Sequence, residues 1–303
     1  MREINPKRLA LEKEEKTHSI KYGLLSYLHW ENMPWLAYVI WFLLKITGIY
    51  GWGLRNLLDI QLDKVEIRLK RLPAGFDGFR LLWISDLHID RIEGQTERLL
   101  EIIDSVSFDA GVFGGDSCFE HHSINKTYER MSQIAAALVK RAPSYAILGN
   151  HDDSKIIPTL QQAGMRVLLN EHVQLEHNGD NIYLVGVDDC HYYKANDLEL
   201  AMKGTEKENF KLLLCHSPEL YEEAAEAGID LFLAGHTHGG QVCLPGGRAV
   251  VTCCDVPKGL IKGMWKQGGM TGYTSRGVGG SGIPVRFNCP PQIVVFTLRR
   301  DDS

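Results

Sequence analysis

Five short stretches of the sequence carry side chains that hold metal ions or move protons. They are SDLH with Asp86 and His88, GGD with Asp116, GNHD with Asn150 and His151, LLLCH with His216, and GHTHGG with His236 and His238. Carboxylate oxygens and imidazole nitrogens are the usual donors for divalent first-row ions. Two carboxylates, one amide and the imidazoles of His88, His216, His236 and His238 exceed what a single ion needs. They suit two divalent ions that share a carboxylate. On an extended chain, residues i and i+2 project to the same side. Asp86 with His88, and His236 with His238, are therefore each expected to aim two donors at one place.

Each stretch closes an apolar run: FRLLWIS (79–85), DAGVFGGD (109–116), SYAILGNHD (144–152), NFKLLLCH (209–216) and DLFLAGHTH (230–238). Near-continuous apolar runs with polar ends read as buried strands. IYLVGVDD (182–189) repeats the theme, VEIRL alternates like a strand, and QIVVFTL (292–298) closes the chain as another. Between them the period switches to that of helices. Thr96–Val106 places Leu99, Leu100 and Ile103 on one face, Ile124–Val139 reads as a second helix, and Pro218–Ala227 as a third with Pro near its start. Strands alternating with helices predict an α/β fold. In open α/β sheets, ligands gather beyond the carboxyl ends of strands, where all five stretches fall.

The 303 residues fit two domains or one large α/β domain. With 44% hydrophobic and 23% charged residues, the chain has enough apolar surface to fold and is not disordered. A net charge of −5, without a Lys/Arg run, argues against nucleic acid as a partner. None of the seven cysteines has CxxC spacing, which reads as reduced thiols in a cytosol-facing chain. Residues 1–21 mix six Lys/Arg with four Glu and show no cleavable-signal pattern.

Residues 33–54 differ: they carry one charge, Lys45, among apolar and aromatic side chains. That is about the length of a membrane span, and Trp and Tyr near both ends suit an interfacial belt. Lys45 sits mid-stretch, where a bilayer centre costs ~2.5–3.5 kcal/mol for a lysine. The stretch is expected to span a membrane, to lie in its interface, or to pack as a buried helix. The expected division is a charged and apolar membrane-associating segment over 1–60 and a catalytic domain over 61–303.

SDLH, GGD, GNHD, the single His216 and GHTHGGQ, in this order from Leu81 to Val242, resemble the calcineurin-like metallophosphoesterase superfamily. The resemblance implies a four-layer α/β/β/α sandwich, here preceded by an apolar N-terminal helical segment. It implies that Asp86, His88, Asp116 and His238 hold one divalent ion. Asp116, Asn150, His216 and His236 hold the second, with Asp116 bridging. Manganese is the expected metal, with Fe, Zn, Ni or Mg as alternatives. His151 is implied as the catalytic histidine that contacts the phosphoryl oxygen and assists the leaving group, while a metal-activated water attacks phosphorus.

The string TSRGVGGSGIPVRFNCPPQI (274–293) resembles a membrane-linked branch of that superfamily. This branch includes YkuE- and YaeI-type proteins and the chlamydial-type UDP-2,3-diacylglucosamine pyrophosphatase. It implies hydrolysis of a lipid-linked phosphodiester or pyrophosphate, with UDP-2,3-diacylglucosamine going to lipid X and UMP in lipid A biosynthesis. The expected partners are a lipid-linked nucleotide or membrane lipid and the membrane surface, at the cytoplasmic face of an inner membrane. The alternative is a membrane-anchored phosphodiesterase or phosphatase acting on a soluble substrate. Every ligand position is filled, which disfavours an inactive scaffold.

Arg276 is the candidate substrate-phosphate contact and Arg286 a weaker one, since Arg suits bidentate phosphate recognition. Asp188 and Asp189 are expected to hold the cleft wall, and Cys118 to be a small strand-end residue. His121 and His122 are further candidates for the cleft wall. The remaining histidines, His191 among them, are expected at the surface or in packing.

Overall fold

Leu81, Leu82, Trp83 and Ile84 are all buried, and they alternate between two separate apolar cores. A strand with both faces buried needs a layer on each side. The computed structural model, which describes residues 4–13, 34–90, 92–119, 124–250 and 252–301, provides them. The first sheet comprises β1 (Gln61–Leu69), β2 (Arg80–Ile84), β3 (Ala110–Phe113), β4 (Ser144–Ala146), β5 (Arg166–Val167) and β12 (Gln292–Arg300), in the order β1-β12-β2-β3-β4-β5. The second comprises β6 (Glu171–His177), β7 (Asp180–Gly186), β8 (Lys211–Leu214), β9 (Leu231–Ala234), β10 (Gly263–Gln267) and β11 (Met270–Thr274), in the order β10-β11-β9-β8-β7-β6.

Leu81, Trp83 and Val112 of the first sheet share one core with Leu184, Leu212 and Leu233 of the second, so the sheets pack face to face. Leu82 and Ile84 point the other way. They pack against α4 (Gln95–Ser105), α5 (Ile124–Val139) and α6 (Ile157–Gln162) through Leu99, Ile134 and Leu160. Val185, Leu213 and Phe232 meet α7 (Leu198–Met202) and α8 (Tyr221–Glu226) on the outer face of the second sheet. The layers therefore run helix, sheet, sheet, helix. Strands β2 to β5 are parallel, as are β7, β8, β9 and β11. The carboxyl ends of β2, β3, β4, β8 and β9 lead directly into the five ligand-bearing stretches.

The N-terminal region holds α1 (Pro6–Lys13), α2 (Pro34–Ile46) and α3 (Tyr50–Asn56). The apolar stretch 33–54 is not one continuous span. Gly48 takes φ +75 and ends α2, as a left-handed glycine commonly does. Among the described residues, no helix is long and apolar enough to cross a membrane. Ile40, Leu44 and Tyr50 pack on Ile283, Val285 and Phe287. The backbone N–H of Arg286 donates to Gly53 O at 3.0 Å, which fastens α3 to the C-terminal loop. Lys45 lies over the rings of Trp41 and Tyr50, 5.3 and 4.3 Å from their centroids. Its charge is thereby held at the helix surface. The predicted helix over Pro218–Ala227 divides into a short 3-10 turn, Pro218–Leu220, and α8.

Candidate metal centre

The strands end before the ligands begin, and the backbone then turns sharply. Asp86, His88, Asp116, His236 and His238 all have positive φ, between 41° and 69°. Left-handed conformations cost a non-glycine residue roughly 1–2 kcal/mol each, and such strain gathers at functional sites. The same-side aim of Asp86 and His88 thus comes from two left-handed residues flanking buried Leu87, and not from the pleat of an extended strand. The turn is held by Asp86 N–H donating to Gly115 O (2.9 Å) and Leu87 N–H donating to Asp116 O (2.8 Å). Gly149 is required by close approach: a Cβ there would lie 2.2 Å from Asp116 Oδ1.

These turns bring seven of the expected residues together. Asp86, His88 and His238 form one buried group, and Asp116, His216 and His236 a second, each with its donor atoms within 4.8 Å of one another. The groups adjoin: Asp116 Oδ2 is 3.1 Å from His216 Nε2 and 3.8 Å from His88 Nε2. Asp116 therefore reaches both. Asn150 joins the second group, its Oδ1 2.9 Å from His236 Nδ1. His88 and His238 set their Nε2 atoms 3.1 Å apart, with at most one proton between them. A buried convergence of imidazole nitrogens, two carboxylates and an amide oxygen is the donor chemistry of divalent-ion sites, and these residues fit two such ions. The other ring nitrogens are oriented by the protein, as metal-binding histidines generally are. His88 Nδ1 lies 3.0 Å from Cys118 O, and His216 Nδ1 lies 2.8 Å from Gly114 O.

The charges are strongly coupled. Burial lifts the Asp86 carboxyl above the usual range; His216 opposes this and Asp116 adds to it. Burial would lift Asp116 as well, but His216, His151 and His88 hold it well below the usual range. At His216 burial disfavours the imidazolium, yet Asp116 and Asp86 outweigh it and raise the group well above an ordinary histidine. Burial keeps His236 and His238 well below, reinforced by His191 and His216 at the first and by His88 and Arg286 at the second.

His151 stands apart from the ligands. It is half-buried, whereas Asp86, His88, Asp116, Asn150, His216, His236 and His238 are buried. Its ring lies edge-on to His88 at 5.3 Å and stacks on Phe119 at 5.2 Å, while its backbone N–H donates to Asp116 Oδ1 at 2.9 Å. An imidazole at the rim of the ligand cluster can reach a bound molecule that the buried ligands surround.

Several residues around the centre escaped the sequence reading. Asp152 closes GNHD and accepts from Asp116 N–H (2.8 Å), Gly149 N–H (2.9 Å) and Ser117 N–H (2.8 Å), tying two ligand loops together. Behind it lies Arg8 of α1, with no exposed surface. Arg8 donates to Asp152 O at 2.6 Å, pairs with Asp188 and with Glu12, and lies 4.1 Å from the centroid of the Tyr193 ring. Glu12 in turn accepts from Ser154 N–H at 2.9 Å. His191, expected at the surface or in packing, is buried, with its Nδ1 2.8 Å from Glu219 and its ring 4.2 Å from that of His236.

Arg276 departs from its expected role, whereas Arg286 and Asp189 take structural ones. Arg276 commits its guanidinium to Asp63 (3.0 Å) and to Pro290 O (3.0 Å), so it braces the loop against β1 instead of facing the ligands. Arg286 is fully buried and donates to the carbonyls of Gly279, Cys289 and Arg276, with His238 Nδ1 at 3.2 Å. Asp189 accepts from the backbone of His191, Tyr192 and Tyr193 and shapes the wall beside the site. Burial and nearby carboxylates raise the Cys118 thiol, which disfavours its reactive thiolate form. His121 and His122 lie outside the described residues.

The comparisons agree with this geometry. The chain is 28% identical over 276 residues to the uncharacterized metallophosphoesterase YkuE of Bacillus subtilis (strain 168), covering 84% of this chain and 92% of that protein. It is 30% identical over 255 residues to phosphodiesterase YaeI of Escherichia coli (strain K12), covering 78% of this chain and 88% of that protein. A Bos taurus transmembrane protein with metallophosphoesterase domain is 27% identical over 289 residues, covering 88% of this chain and 62% of that protein. The family model described as calcineurin-like phosphoesterase matches residues 79–240, which include every ligand named above. The chain belongs to the calcineurin-like phosphoesterase family.

Proposed function

We propose that this phosphoester hydrolase cleaves a phosphodiester or pyrophosphate linked to a lipid, working at a membrane surface. The observation that carries the chemistry is the meeting of two ligand groups at Asp116. When bound there, two divalent ions supply Lewis acidity and lower the pKa of a water. The chain's own residues do the rest. Asp86 and Asp116 compensate the ions' charge only in part, leaving the centre attractive to an anionic phosphoryl group. Asp152 and Arg8 hold the loops that carry Asp116, Asn150 and His151. His151 at the rim is positioned to protonate the departing oxygen. Manganese is the metal to load first.

The lipid part of the reading rests on the N-terminal helices. Tyr38, Trp41, Phe42, Ile46 and Trp52 are exposed on the surface of α2 and α3, with Tyr38 at 74% and Ile46 at 62%. Aromatic and aliphatic side chains on a short helix suit the plane of a membrane interface. Cys118, Cys190, Cys215, Cys243 and Cys289 are free and buried, which supports a reducing compartment and hence the cytoplasmic face.

UDP-2,3-diacylglucosamine is the substrate to test first, with Mn²⁺-loaded protein, mass-spectrometric detection of products and an EDTA control. Metal-dependent release of UMP and lipid X is the expected result. Hydrolysis of bis(p-nitrophenyl) phosphate without such release would sink that substrate. It would favour the second reading, a phosphodiesterase on a soluble substrate; the Escherichia coli relative is named a phosphodiesterase, which fits diester cleavage in either reading.

A further inference from the structure

The contact between α2 and the C-terminal loop is incomplete. A cavity of about 370 Å³ remains between Ile40 and Leu44 on one side and Ile283 and Val285 on the other. This is within the size range of small-ligand pockets. The turn that carries His238, whose imidazole belongs to the first ligand group, forms part of its lining. A larger groove of about 1350 Å³ is lined by Arg71, Lys211 and Gly228, at the amino ends of β8 and β9 and away from the ligands.

The chemistry of the smaller cavity selects its occupant. Gln241 turns its amide inward to the protein: Nε2 donates to Ser281 O and Ile283 O, and Oε1 accepts from Ser281 N–H. Thr237 Oγ1 donates to Ile261 O at 2.6 Å. The Gln241 amide and the Thr237 hydroxyl are therefore already bonded, and the walls, with Ile40, Leu44, Ile283, Val285 and Phe287, offer a visitor mostly apolar surface. A nucleobase or a sugar would bury its polar edge here without partners, which is costly. An aliphatic chain loses nothing.

We propose that this cavity holds the aliphatic chain of an amphiphilic phosphoester whose phosphate sits at the neighbouring ligand cluster. The proposal deepens the lipid reading given above and rests on it. It assigns the chain to a pocket inside the protein, separate from the exposed crest of Trp41 and Phe42 that faces outward on the same helix.

The test uses the full chain, loaded with Mn²⁺ and purified without alkyl detergent. Binding of methylphosphonate and octylphosphonate is measured by calorimetry. Octylphosphonate should bind at least about 10-fold more tightly, because each buried methylene contributes roughly 4-fold. In Leu44→Gln that advantage should fall below about 3-fold, and Ile40→Gln repeats the test one turn earlier should Leu44→Gln fold poorly. Phe42→Ser, on the exposed crest, should keep the advantage. Equal binding of the two phosphonates, an undiminished advantage in both pocket variants, or its loss in Phe42→Ser would each overturn the pocket. Turnover of bis(p-nitrophenyl) phosphate is followed in the same preparation. Turnover without a chain-length effect leaves the hydrolase and removes the pocket. A chain-length effect without turnover leaves the pocket and removes the hydrolase.

Discussion

The ligand loops and the α2–α3 region invert the usual sorting of side chains in opposite ways. At the strand ends, carboxylates and imidazoles are buried, and five of them are held at positive φ. On α2 and α3, Tyr38, Trp41, Phe42 and Trp52 stand in the open. Burying charge without compensation is expensive, and exposed apolar patches mark interaction surfaces. Each region thus implies an occupant: positive charge in the first, apolar matter in the second. The regions also differ in how they are held. The ligand loops are cross-braced by Asp152 and Arg8, whereas α2 rests on a few apolar contacts around a cavity.

The largest effect expected from breaking this contrast is at Asp116. Asp116→Ala should lower phosphodiester turnover by at least about 10³-fold, since both ligand groups meet there. Near-normal turnover in steady-state assays would remove Asp116 from the centre. His151→Ala should lose roughly 10²-fold or more in kcat, the scale of a positioned acid or base, while metal content measured in parallel stays at the parent value.

Arg8 tests the bracing. Arg8→Met leaves Asp188 buried without its cation, at a cost of about 3–5 kcal/mol. Chemical denaturation should show this loss, and the double change Arg8→Met with Asp188→Leu should recover much of it. If Arg8→Met unfolds at the parental denaturant concentration, α1 does not brace the GNHD loop.

Protons sharpen the comparison further. Although burial opposes it, Asp116 and Asp86 hold His216 protonated well above the ordinary histidine range in the metal-free protein. An incoming ion must displace that proton. Metal affinity should therefore rise with pH up to the raised value of His216 and level off beyond it. Calorimetry in two buffers of different ionisation heat should detect proton release at neutral pH; its absence would place His216 outside the ligand set. The smallest effect is on the apolar region. Phe42→Ser should weaken binding to phospholipid vesicles while changing stability by no more than about 0.5 kcal/mol, as for an exposed residue. Unchanged vesicle binding would detach the crest from the membrane reading.

The candidate donors that converge at the centre, and the strands that carry them, were legible in the sequence because both follow local rules. Apolar runs mark buried strands, and donors at their ends mark a site. The backbone at those donors was not legible: Asp86 and His88 read as an extended pair and are left-handed, because the hydrogen bonds that bend them come from Gly115 and Asp116 on another strand's loop. Arg8 was invisible for a related reason. Nothing in PKRLALEK announces a partner 180 residues away. Arg276 looked like a phosphate ligand by type, but the parallel pairing of β1 with β12 brings Asp63 to its guanidinium. The apolar stretch read as one continuous segment that could span, lie flat or pack, because its hydropathy is continuous, and a single left-handed glycine divides it.

The chemistry proposed for this chain depends on a two-ion centre around Asp116. Its most direct measurement is the metal content of the purified full chain after Mn²⁺ loading and removal of free metal, by plasma mass spectrometry, beside Asp116→Ala. A two-ion centre means two ions per chain in the parent and loss of both in the variant. One ion or none in the parent, or a variant that still holds two, would contradict it.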